Sequence, residues 1–115
     1  MKTKTIVSAL VKVFAISAAL SAPAFAAMSE ADVEPYLKKQ GCMKCHAMDK
    51  TKKGPSWKKL SAKFKGKANA EQEILKNLTT SPTVKLEDGT EEEHKEIETK
   101  DKEELKVITK WIMTR

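Results

Sequence analysis

GCMKCH, residues 41–46, holds both cysteines of the 115-residue chain and one of its two histidines. Cys42 and Cys45 are three positions apart, and His46 follows at once. On a tight helical turn, two thiols at this spacing reach the two vinyl groups along one porphyrin edge and form thioethers. The next residue then swings beneath the ring and offers imidazole nitrogen to iron. C-x-x-C-H is the attachment signature of c-type haem. Two other chemistries share part of the pattern. A thioredoxin-like redox pair wants a βαβ surround, whereas the downstream sequence reads as helical. A zinc site wants four ligands, and Cys42, Cys45, His46 and His94 would just supply them.

The N-terminus favours haem. Lys2 and Lys4 form a positive start, an apolar stretch follows, and Ala24-Phe25-Ala26 matches a signal-peptidase site. Residues 1–26 therefore read as a signal peptide cleaved after Ala26, with export to the periplasm. Lys12 interrupts the apolar run, and Val13–Ala22 falls short of the roughly 20 residues a membrane span needs. No membrane span is expected once the signal is removed. The remaining domain, 27–115, has 115 − 26 = 89 residues. A chain of that size buries little surface. Its two cysteines are too close in sequence for a disulfide to stabilise it much. A covalent cofactor would fill the core instead.

Charge is unevenly spread. Lys38 to Lys67 carries eleven lysines and a single acid, Asp49, whereas Glu87 to Glu104 carries ten acids. Such a division suits electrostatic steering of a complementary partner; solvated faces would look the same. Nucleic acid is a poor candidate, because no aromatics interleave with the lysines at a stacking spacing.

Apolar spacing predicts an all-α domain of four short helices. The first spans about Val33–Gln40, with Asp32 as N-cap, Pro35 in the first turn and Gly41 ending it. Trp57, Leu60 and Phe64 repeat at helical spacing up to Gly66. A third helix starts at Asn69, with Gln72 completing a capping box, and carries Ile74, Leu75 and Leu78. A fourth runs about Lys102–Met113, with Asp101 and Glu104 as its capping box and Leu105, Ile108, Trp111 and Ile112 inward. Between them lies an irregular loop, Thr79–Lys100, long for so small a domain. His94 is in this loop, within the acidic run DGTEEEHKEIETK.

The chain resembles the class I c-type cytochromes, small bacterial single-haem periplasmic carriers. The resemblance rests on G-C-x-x-C-H-A at Gly41–Ala47, Lys52-Lys53-Gly54-Pro55, A-K-F-x-G at Ala62–Gly66 and K-W at Lys110-Trp111. It implies a small cytochrome c fold wrapped around one covalent haem c. It also implies that the Pro55 carbonyl accepts a hydrogen bond from the outer nitrogen of His46, and that Trp57, Leu60 and Phe64 pack around the haem. Trp111 would pack where the first and last helices cross.

One departure matters. The family's usual distal ligand is a methionine in the loop before the last helix, yet this chain has no methionine between Met48 and Met113. Met48 is too near His46 to reach the opposite haem face, and Met113 lies on the last helix. His94 stands close to the expected position, with Lys95 a weaker alternative. The reading is a bis-histidine haem, His46 proximal and His94 distal. Methionine ligation raises haem potential, so a histidine in its place implies a low-potential electron carrier; with no Ser/His/Asp set or carboxylate pair suggesting hydrolytic chemistry, a stand-alone enzyme is not expected. Its redox partners would present an acidic surface to the lysines near the thioether edge. Two alternatives remain: an open or labile iron site binding NO or CO, and a haem subunit of a larger oxidoreductase. A homodimer is compatible with either.

Overall fold

The computed structural model describes residues 16–19 and 27–115. The expected signal-peptide boundary after Ala26 lies outside the described residues. Four helices form: α1 Glu30–Lys39, α2 Trp57–Phe64, α3 Ala70–Thr79 and α4 Lys102–Met113. A single 3-10 turn, Cys42–Lys44, follows α1. Two three-residue strands, β1 Thr83–Lys85 and β2 Glu91–Glu93, pair antiparallel with Val84 opposite Glu92.

Helix α1 starts three residues before Val33, because Ser29 and not Asp32 is the N-cap. Asp32 instead reaches back, accepting from the Ser29 N–H at 2.8 Å and the Ser29 hydroxyl at 2.6 Å. Its carboxyl is held below its ordinary pKa by those bonds. Pro35 consequently lies beyond the first turn, inside the helix, and removes one intrahelical donor. Asn69 does cap α3, but its side chain makes no capping hydrogen bond. Asp101 caps α4 by accepting from the N–H groups of Glu103 at 3.0 Å and Glu104 at 2.9 Å. The Glu104 carboxylate takes the Thr99 hydroxyl, so the reciprocal half of that capping box is not made.

The expected irregular loop contains the hairpin. Gly89 N–H donates to Leu86 O at 3.0 Å, and Gly89 has φ of 86°. A turn closed by a left-handed glycine is a common short hairpin connection. Asp88 accepts from the Thr90 N–H at 2.9 Å and its hydroxyl at 2.6 Å, which rigidifies the tip.

Helix α4 packs against α1, α2 and α3. Val33 and Leu37 of α1, Ile74 and Leu78 of α3, and Ile108 and Ile112 of α4 share one core with Trp57, Phe64 and Trp111. The aromatic partner of Trp111 is Trp57 of α2, edge-on at 5.5 Å between ring centroids. The Arg115 guanidinium covers its other side at 4.5 Å. Edge-to-face pairs add about 0.5–1.5 kcal/mol to the burial itself.

Candidate haem site

The helices and the hairpin leave one large cavity of about 560 Å³. It lies within the range of small-molecule and cofactor pockets, roughly 300–1,000 Å³. Cys42, Cys45, His46, Pro55, Trp57, Leu60, Phe64 and His94 all border it. Three segments distant in sequence, 42–46, 55–64 and His94, thus meet at one place.

Gly41, with φ of 82°, turns the chain out of α1. The Cys42–Lys44 turn then sets both sulfurs at the cavity wall. Both cysteines are free and half-buried. Burial pushes the Cys42 thiol above its ordinary pKa, against the pull of the nearby Lys95 ammonium. His46 Nδ1 donates to the Pro55 carbonyl at 2.6 Å. A carbonyl only accepts, so the Nδ1 proton is fixed and Nε2 is left as the free lone pair. Desolvation holds the imidazole below its ordinary pKa, the Pro55 bond opposes this, and His94 adds to it. The ring is therefore neutral at pH 7, the form that ligates metals.

Trp57 lies beside that ring, 4.7 Å between centroids. Its indole N–H points to Met43 Sδ at 3.2 Å, so the attachment turn itself holds the tryptophan. Gly54 was legible only as part of a turn, and its second role is steric. A Cβ there would stand 2.9 Å from His46 Cε1. Gly54→Ala is expected to displace the ring from the Pro55 carbonyl and to cost about 1–3 kcal/mol. Thermal unfolding beside the wild type checks this; an unchanged melting temperature would contradict it.

His94 enters from β2, its backbone N–H donating to Pro82 O at 2.8 Å. Its ring centroid stands 6.3 Å from that of His46. Unlike His46, it lacks a partner for its buried Nδ1 among the described residues. The remaining walls mix apolar side chains with charged ones at the rim, such as Lys63, Glu73 and Lys95, and the sequence did not disclose which way these elements face. Ile74 and Leu78 come from α3, Val84 and Leu86 from the hairpin, and Ile112 from α4. The apolar periodicity of α3 and α4 was visible, but not which residues would face a cavity.

A zinc site does not fit. Among the described residues no three His, Cys, Asp or Glu side chains converge on one point. The cavity instead offers what a flat apolar macrocycle needs: a wide apolar enclosure, two thiols at its edge and a lone-pair imidazole.

The cytochrome c family model matches residues 21–115. The chain belongs to the cytochrome c family. It is similar to cytochrome c-551 of Pseudomonas aeruginosa, 43% identical over 47 residues, or 41% of this chain. That match spans 45% of the relative's length. It is also similar to the crystal structure of the class 1 cytochrome MtoD from Sideroxydans lithotrophicus ES-1. There the identity is 38% and the TM-score 0.68, covering 76% of this chain and 97% of the other. This cytochrome c is thus of class I, with haem c as its covalent cofactor and a mostly helical fold that includes a small two-stranded sheet.

Proposed function

We propose that this cytochrome is a periplasmic electron carrier of low potential. Cys42 and Cys45 would attach the haem, and His46 and His94 would ligate its iron. Haem c supplies a one-electron ferric/ferrous couple. The observation that carries the ligand assignment is the 6.3 Å between the two imidazole centroids. Two imidazoles that shared one metal ion through bonds of about 2.0 Å would stand at about this separation.

The chain's residues then have distinct tasks. Pro55 orients His46 and strengthens its donation through the 2.6 Å hydrogen bond. Trp57, Leu60 and Phe64 line the cavity with apolar surface and keep water from it. Lys44, Lys50, Lys52 and Lys53 are exposed around the attachment turn. They suit weak docking of an acidic redox partner, through an attraction largely screened beyond about 10 Å in 0.1 M salt. The leader-like first 26 residues support export. Among the described residues no helix is long and apolar enough to cross a membrane.

Substituting methionine at His94 tests the potential directly. Methionine favours ferrous iron relative to imidazole. Spectroelectrochemical titration is expected to give a higher midpoint for His94→Met than for the wild type. An equal or lower midpoint, in a variant whose spectrum shows methionine bound, would contradict the low-potential reading.

A further inference from the structure

We propose that Gln40 and Tyr36, on the last turns of α1, are positioning residues for the distal ligand; the inference rests on His94 being that ligand. The buried Nδ1 of His94 has no hydrogen-bond partner among the described residues. The ring's placement therefore falls to the backbone that carries it. That backbone is bonded on both sides. His94 N–H donates to Pro82 O at 2.8 Å, and Ile97 N–H to Leu78 O at 3.0 Å. Beyond Ile97, the partners are side chains of α1. Glu98 N–H donates to Gln40 Oε1 at 3.0 Å, across 58 residues of sequence. Thr99 N–H donates to the Tyr36 hydroxyl at 3.0 Å, across 63 residues.

Gln40 is 4% exposed, and a polar side chain buried that deeply is unfavourable unless bonded. The bond to Glu98 is what the site gains from an amide there. Gln40 also closes α1, its own N–H bonding to Tyr36 O at 2.9 Å, and Gly41 and Cys42 follow at once. The turn that leads into the attachment motif therefore also holds the segment after His94. Segment 94–97 has no regular structure of its own to resist displacement. Ile97, buried at 2% exposure, and the two α1 acceptors are its anchors on the side away from the hairpin.

The test uses the holoprotein. Carbon monoxide is bound to the ferrous wild type and to Gln40→Leu, Tyr36→Phe and the double variant, by stopped flow. Binding requires His94 to leave, so its rate reports how firmly the segment is held. Each single variant is expected to bind about fivefold faster, the factor one ordinary net hydrogen bond is worth, while the ferric spectrum stays low-spin. Ile108→Val serves as control, since it loosens the shared core without removing either α1 hydrogen bond. Rates equal to wild type in both α1 variants, or raised as much by Ile108→Val, overturn the positioning role while leaving the ligand intact. A high-spin wild-type ferric spectrum overturns the ligand assignment, and the inference with it.

Discussion

Ferric His94→Ala is expected to be high-spin or to bind added imidazole readily, where the wild type is low-spin and closed. The variant removes the one imidazole facing His46 across the cavity, 6.3 Å away between ring centroids. Lys95 also borders the cavity and is the side chain to watch as a substitute, whereas the methionines are not so placed. Met48 follows His46 by two residues, and Met113 lines the separate small cleft beside Glu71 and Lys106. The Lys95 ammonium lies toward Gly41, which a Cβ at that glycine would meet at 3.5 Å. The fold itself should survive, because the backbone bonds at His94, Ile97, Glu98 and Thr99 do not involve the imidazole. Ferrous His94→Ala should also bind carbon monoxide without first losing a ligand. A low-spin variant, closed to added ligands, would show that another group fills the distal position.

The second large effect concerns the fold. A Cys42→Ser/Cys45→Ser variant purified without haem is expected to lack fixed tertiary structure. Without the haem, the apolar side chains lining a cleft of about 560 Å³ lose their packing partner and meet water, at about 25 cal/mol per Å² of apolar surface. Small domains have about 5–15 kcal/mol in all. Collapse relieves part of this cost, but it undoes the packing of Trp57, Phe64, Ile74 and Leu78 around the cavity. Near-ultraviolet circular dichroism should lose its tryptophan signals, and thermal unfolding should lose its cooperativity. A cooperative transition near that of the holoprotein would contradict this account.

Much of the architecture was legible in residue order. Trp57, Leu60 and Phe64 marked α2, and Asp101 marked the start of α4. The hairpin was not read, for a physical reason. Its strands have three residues each, and Glu91, Glu92 and Glu93 are all exposed, so no alternation of apolar and polar residues appears. The one local signal was Asp88-Gly89, a common hairpin pair. Ser29 was overlooked as the α1 cap because Asp32 is equally good by composition. Their mutual hydrogen bonds decide between them, and those exist only in the folded chain.

The site divides in the same way. Cys42, Cys45 and His46 were evident from spacing alone, because adjacent residues share one turn. His94 stood out by elimination among possible ligands, although nothing local to its acidic surroundings marks it. Gly54, Gln40 and Tyr36 could not be found so, since each acts on a residue separated from it along the chain and brought close only once the fold is closed. Gly54 serves by lacking a side chain, and the other two by reaching backbone 58 and 63 residues away.

Electron paramagnetic resonance of the purified ferric wild type tests the central claim most directly. Two imidazoles on one haem iron predict a low-spin spectrum at neutral pH with no high-spin component. A predominantly high-spin spectrum would mean that His94 does not bind iron, and the low-potential bis-histidine account would be wrong.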